Sequence, residues 1–249
     1  MFGGNPAAVV TLDEWLADDV LQAIAAENNL AETAFVVPRE DMAPLRWFTP
    51  TVEVDLCGHA TLAAAHVLFS YHYPSLTLVS FSTRSGVLSV SREEDRLSLD
   101  LPARPGAPVK ISDELVSALG ARPREAYLAR DTLAVFDTEA AIQTLRPDIG
   151  LIAALDTHAV IVSAPGSTAD FVSRFFAPRM GVPEDSVTGS AHCTLVPYWA
   201  GRLGKATLAA RQLSRRGGEL DCELRGDRVV ITGGTVEYLR GEITVPDPP

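Results

Sequence analysis

One pattern is written twice in this chain, at slightly stretched spacing, and that repetition constrains the fold more than any single segment. The first copy runs from the apolar stretch Ala34-Phe35-Val36-Val37 through Arg46-Trp47-Phe48-Thr49-Pro50 to Cys57-Gly58-His59-Ala60. The second runs from Ala159-Val160-Ile161-Val162 through Arg174-Phe175-Phe176-Ala177-Pro178 to Thr188-Gly189-Ser190-Ala191. From leading alanine to arginine is 12 residues in the first copy (34 to 46) and 15 in the second (159 to 174). From arginine to glycine the same two values return (46 to 58, 174 to 189). Repeated order suggests two related halves facing each other. Aligned in this way, Glu32 of the first half falls opposite Thr157 of the second. A two-fold scaffold with one unmatched carboxylate points to proton chemistry run by a single base.

The pattern of apolar residues fills in the rest. Leu16 to Glu27 has helical spacing and stops at Asn28-Asn29. Glu32 stands at the entrance to a strand over 33–37, rich in β-branched and aromatic residues. Residues 46–48 form a short strand, 53–56 a turn, and Gly58 opens a helix over 60–69. That helix is apolar nearly all round, which predicts burial on every side. Alternating strands follow at 76–82, 87–91 and 96–100. The best linker is Leu101 to Pro108, with three prolines and a glycine in eight residues, so the halves are expected at 1–104 and 105–249. In the second half, helices are expected at 113–119, 139–145 and 149–155, and strands at 125–129, 132–136 and 158–163. The second buried helix spans 190–203, and Pro197 should bend it. Strands at 207–213, 219–225 and 228–233 lead to a closing strand at 235–242, expected to cross back to the first half. Each half therefore reads as a curved, mainly antiparallel sheet round one apolar helix, an α+β protein. The chain opens on the turn Gly3-Gly4-Asn5-Pro6 before the run Ala7 to Val10. A domain seldom starts on a turn, so a first strand is expected to be missing. The bare edge left behind would be covered by a second copy, hence a homodimer.

Composition narrows the partners. A net charge of -11 argues against nucleic acid or an anionic membrane, both of which need a basic footprint. With 47% hydrophobic and 21% charged residues the chain has the make-up of a soluble globular protein. No apolar run approaches the ~18 residues of a membrane span, and no secretory signal opens the chain. Cys57, Cys193 and Cys222 are too few and scattered for a disulfide framework or a zinc site, which fits a reducing cytoplasm. A small molecule is the remaining partner, and a helix terminus can attract an anionic one locally.

Both repeated motifs place glycine at a helix start, where the first N–H groups are unpaired and the macrodipole is positive. Two such ends across a cleft would hold a carboxylate or stabilise an enolate-like intermediate. The plainer alternative is capping by Thr188 or Ser190, with glycine for close packing. Glu32, between a helix terminator and an apolar strand, is placed for acid–base work, or else is an exposed strand-edge residue. His59 is suited to hydrogen-bonding a substrate as a neutral imidazole. Asp185 is either a turn former after Pro183-Glu184 or the residue that orients a substrate amine or a histidine. Cys57 matches Thr188 in the repeat, which speaks against a pair of thiols doing epimerisation; a small buried residue is the expectation there. His66 reads as a core histidine.

Taken in order, Phe2-Gly3-Gly4-Asn5-Pro6-Ala7-Ala8-Val9-Val10, Glu27-Asn28-Asn29-Leu30-Ala31-Glu32-Thr33-Ala34-Phe35-Val36, Arg46 to Pro50, Cys57 to Thr61 and Glu184 to Ala191 resemble the PhzF-like family of phenazine biosynthesis. The resemblance spans most of the chain. It implies the diaminopimelate-epimerase-like fold, two similar domains with the active site in the cleft between them. It implies Glu32 as the catalytic acid/base, with His59, Asp185 and Ser190 lining the pocket and assisting proton movement. Gly58 and Gly189 match the glycines whose amides receive the substrate carboxylate. The characterised phenazine enzyme isomerises its substrate by moving a proton without a cofactor. Many relatives have no established substrate, so that activity does not transfer with the name. Two departures stand out: the family begins with a strand before the first turn, and Ser186 replaces a common proline. The expectation is an isomerase needing no cofactor and acting on a small carboxylate. The alternatives are an amino-acid racemase or epimerase, which needs a second base facing Glu32, and an idle relative that only binds a metabolite.

Overall fold

Alternating and β-branched runs give this molecule sixteen strands among the described residues, and glycines and short polar residues set where each element stops. A computed structural model describes residues 2–245. The first half contains Ala7–Thr11 (β1), Asp18–Asn28 (α1), Glu32–Val36 (β2), Ala43–Phe48 (β3) and Glu53–Val54 (β4). It continues with Gly58–Val67 (α2), which runs into a π turn at Leu68–His72, then Leu78–Thr83 (β5), Gly86–Glu93 (β6) and Arg96–Pro102 (β7). The second half starts with Ala107–Pro108 (β8), Asp113–Leu119 (α3), Glu125–Leu128 (β9) and Thr132–Val135 (β10). Next come Glu139–Thr144 (α4), Ile149–Ala154 (α5), Val160–Pro165 (β11), Phe171–Ala177 (β12) and Val182–Asp185 (β13). Gly189–Leu203 (α6), Thr207–Gln212 (β14), Gly218–Arg225 (β15) and Arg228–Gly234 (β16) complete it.

The strands join in one path, β1-β2-β3-β5-β6-β7-β16-β15-β14-β12-β11-β10-β9-β8, with β4 on β3 and β13 on β12. Most pairings are antiparallel; β1 with β2, β3 with β5, β10 with β11 and β12 with β14 are parallel. The halves meet where β16 pairs with β7 from Arg228 opposite Pro102 to Gly234 opposite Arg96. Residues 235–242 form no strand, contrary to expectation, although their residues alternate. Both sides of β16 are already taken, by β15 and β7, so the chain beyond it does not pair back on the strand it leaves. It lies instead along the first half, with Thr235 Oγ1 2.9 Å from His66 Nδ1 and the Tyr71 hydroxyl donating to Glu237 at 2.8 Å. His66 is accordingly half-buried and engaged at its edge rather than enclosed in the core. Residues 53–54 and 107–108, read as turn and linker, each make a short pairing, with β3 and β9. Pro197 sits inside α6 without ending it.

The duplication is physical as well as written. The pair β2–β3 and the pair β11–β12 are antiparallel, each with a parallel neighbour. Arg46 forks onto Glu53 of β4 at 2.8 and 2.8 Å, and Arg174 forks onto Glu184 of β13 at 2.7 and 3.0 Å. Each arginine also lies over the second aromatic residue of its motif, Phe48 or Phe176, at 5.1 and 5.0 Å. Such bidentate clamps fix both distance and plane. The register corrects one detail of the repeat. Phe35 faces Arg46 and Val162 faces Arg174, so matching the arginines sets Glu32 against Ala159 rather than Thr157. A slip of two residues leaves every side chain on its own face. The position opposite Glu32 still carries no acid.

One core cluster contains the inner faces of both central helices, with Ala60, Ala64 and Ala65 of α2 and Ala191, Leu195, Val196 and Trp199 of α6. Two smaller clusters lie under α1, against Phe35 and Phe48, and under α3 to α5. Small residues on α2 let the sheet close on it from several sides, at the cost of little side-chain entropy.

Candidate active site

The two central helices meet end to end at glycine. A Cβ added to Gly58 would lie 3.1 Å from the Cα of Gly189, and one added to Gly189 would lie 3.2 Å from the Cα of Gly58. No other residue permits backbones this close. Neither helix start is capped by a side chain, whereas α3, α4 and α5 are capped by Ser112, Thr138 and Asp148. The Thr188 hydroxyl, at the N-cap of α6, donates instead to Asp185 Oδ2 at 2.6 Å. The capping alternative is therefore not the one realised. Two positive helix ends converge with free amides, an arrangement suited to an anion.

Glu32 begins β2 beside this point, and His59 occupies the first turn of α2. Glu32 Oε2 and His59 Nε2 are 3.2 Å apart, with side chains 14% and 13% exposed. They are close enough to be an ion pair yet out of line for a hydrogen bond, and both atoms lack a hydrogen-bond partner among the described residues. Burial opposes a charge on His59, but the neighbouring Cys57 sulfur and Glu32 carboxylate raise its pKa well above the ordinary histidine value. Burial pushes the Cys57 thiol up to about 11, so it is neutral near pH 7 and Glu32 is the attraction that acts there. The direction favours the protonated ring, where a neutral one was expected. The expectation of a small buried residue holds for Cys57, which is buried.

Asp185 closes β13 and is buried. Its Oδ1 accepts from Asn5 Nδ2 at 2.7 Å and from the Ser186 amide at 2.9 Å. Burial raises its carboxyl above the usual range, aided by the Glu32 charge, while His59 and its hydroxyl and amide donors pull the other way. Gln212 of β14 braces the same loop from behind. It donates to the Asp185 carbonyl at 2.9 Å and to Thr188 Oγ1 at 3.1 Å, and accepts from the Thr188 amide at 2.8 Å. Asn5, read from sequence only as part of a turn, joins the halves: its amide nitrogen also donates to the Val187 carbonyl at 3.0 Å and lies 3.1 Å from His59 Nδ1.

Glu32, Gly58, His59, Asp185, Gly189 and Ser190 all line one cleft. Its wall also includes Arg130 and His158, which the sequence reading missed. Asp131 and His158 were read merely as parts of strands and their lead-ins; only the pairing of β10 with β11 brings them together. The space open to water is about 50 Å³, room for a few water molecules. Glu32 Oε, Cys57 Sγ and His59 N atoms fall within 4.8 Å of one another and are the residues that would hold a metal ion if one bound here. Binding would require the Cys57 thiol to give up its proton.

A family model described as "Phenazine biosynthesis-like protein" matches residues 1–241. An uncharacterized isomerase of Pseudomonas aeruginosa is 54% identical over 243 residues, covering 97% of this chain and 93% of that protein. Among solved structures, a PhzF family protein of Enterococcus faecalis superposes with a TM-score of 0.90 at 47% identity, over 94% of this chain and 90% of the other. A putative PhzC/PhzF protein of Clostridium difficile superposes with a TM-score of 0.92 at 40% identity, over 98% of this chain and 95% of the other. No helix among the described residues is long and apolar enough to cross a membrane.

Proposed function

The chain belongs to the phenazine biosynthesis-like family, and from that premise we propose that it is an isomerase moving a proton on a small carboxylate without a cofactor. The name "isomerase" carried by its Pseudomonas relatives supports the reaction class. The observation that carries the reading is the facing pair Glu32 Oε2 and His59 Nε2, both without a hydrogen-bond partner among the described residues, in a cleft where two uncapped helix starts meet.

In this reading the substrate lies between residues 1–104 and 105–249, its carboxylate on the amides around Gly58 and Gly189, with Ser190 as a further donor. Withdrawal of charge by those amides acidifies the neighbouring C–H bond. Glu32 accepts the proton, with the ring of His59 3.2 Å from its carboxyl oxygen. The same carboxyl then returns the proton to a second carbon of the delocalised anion, so atoms and charge balance without an added group. Asp185 holds the α6 start through Thr188 and accepts from Asn5, whose amide also donates to the Val187 carbonyl. With so little room inside, a substrate enters only when the halves part, and closure then excludes water.

The test is solvent-deuterium exchange into small cyclic and amino carboxylates. Glu32→Gln keeps shape and reach but accepts no proton, so exchange should fall by about 10²–10⁴ while carboxylate binding stays unchanged. Exchange at the wild-type rate in the variant would remove Glu32 as the base.

A further inference from the structure

We infer that Arg130 is a second carboxylate anchor in the same cleft, so that the substrate is a dicarboxylate. The inference rests on the proposed reading in one respect, that a first carboxylate sits on the helix ends at Gly58 and Gly189.

Arg130 and His158 lie just before β10 and β11, and the parallel register of those strands brings them side by side. Asp131 is buried behind them, with Oδ1 2.8 Å from His158 Nδ1. An imidazole donating from Nδ1 to that carboxylate presents Nε2 as an acceptor, and Arg130 Nη2 donates to it at 2.9 Å. A buried acid thus orders a histidine, which in turn sets the plane of the guanidinium. This is more support than a surface arginine needs.

The other edge of the guanidinium already carries a carboxylate. Asp55 Oδ1 and Oδ2 lie 2.9 and 3.3 Å from Nη2 and Nη1 of Arg130. Asp55 belongs to the first half, three residues before Gly58, so the ion pair spans the two halves at the cleft wall. Burial would raise the Asp55 carboxyl, yet the Arg130 hydrogen bonds and charge, helped by Arg104, hold it below its usual value. The Asp55 side chain is 50% exposed and that of Arg130 29%. Half-exposed pairs of this kind contribute little to stability, so Asp55 can turn to water when the halves part. An incoming carboxylate has the same charge and planar geometry and fits the same fork. Asp55 is then a resting partner that keeps the anchor aligned until a substrate with two carboxylates replaces it.

Straight-chain dicarboxylates of four to seven carbons, titrated beside monocarboxylates of equal length, test this by NMR. In the wild type the best-fitting dicarboxylate should bind at least tenfold tighter than its monocarboxylate, and should move both the His158 ring nitrogens and the Gly58 and Gly189 amides. Arg130→Gln should erase the tenfold difference and leave monocarboxylate binding unaltered. Movement of the glycine amides without His158 would overturn the second anchor alone. Movement of His158 without the amides would leave the anchor standing and overturn the helix-end site. If neither moves with any acid, both fail. The wild-type signals decide the matter even if the variant does not fold.

Discussion

His192 makes the molecule acid-sensitive in a way that can be worked out in advance. Its side chain is fully buried in the first turn of α6, the ring packed near Phe171 with centroids 5.8 Å apart. Nδ1 donates to the Thr188 carbonyl at 2.8 Å, and Nε2 has no partner among the described residues. Burial pushes its pKa down to about 4 from the ordinary histidine value of 6.5, the Thr188 carbonyl resisting only partly. Between those two values the unfolded chain binds a proton that the folded protein refuses. Stability therefore falls as pH falls through this window, by about 1.4 kcal/mol per unit. From 6.5 to about 4 the loss reaches about 3 kcal/mol, a large share of the ~5–15 kcal/mol typical of a domain. Urea unfolding at constant ionic strength, from pH 7.5 to 4, measures it against His192→Asn. Asparagine retains an N–H for the Thr188 carbonyl but does not titrate, so its cost is the same at every pH. Asp185, whose raised carboxyl gives the opposite slope, titrates in both proteins and cancels in the difference. The wild type should lose about 3 kcal/mol more than the variant. Parallel curves would show that the folded protein protonates His192 readily and that the argument from burial is wrong.

Two further outcomes follow from the site. Gly58→Ala drives a methyl to 3.1 Å from the Cα of Gly189; forcing the helix ends apart should cost about 1–3 kcal/mol, seen by calorimetry, and should weaken carboxylate binding, whereas Ala at the open Gly201 should do neither. His59, with its pKa raised well above 6.5, contributes stability fully below the unfolded value and loses it as pH rises through the folded one. Turnover that needs the imidazolium should persist through neutral pH and fall on the alkaline side; an NMR midpoint for His59 at or below 6.5 contradicts this.

How much of this was legible depended on whether the signal was local. The repeated motifs were, because each is a continuous run, and they led to Gly58 and Gly189, to Glu32, and to both buried helices. The two-residue slip that moves the partner of Glu32 from Thr157 to Ala159 was not, since spacing between motifs says nothing of how two strands register. Residues 235–242 alternate like a strand, yet they lie along the first half through side-chain contacts to His66 and Tyr71 and join no ladder. Gln212 shares the inward face of its strand with Leu208 and Ala210, and only the fold shows that Asp185 and Thr188 satisfy its amide. Asn5, Arg130, Asp131 and His158 meet their partners only through the fold: Asn5 contacts Asp185 across 180 residues and Arg130 contacts Asp55 across 75. The pull of Glu32 on His59 was hidden for the same reason, because Glu32 comes from another element.

The seam between β7 and β16 has a consequence for how the protein is made. Pairs such as Leu99 with Ile231 close a loop of more than half the chain, and contacts of such long range form slowly. During synthesis the first half leaves the ribosome with β7 still an open edge, and it waits for nearly all of the second half before that edge is filled. An open edge on a nascent chain invites pairing with a neighbour. The polar residues along β7, Arg96, Ser98 and Asp100, then guard the waiting edge against aggregation until Arg228 arrives to grip Asp100.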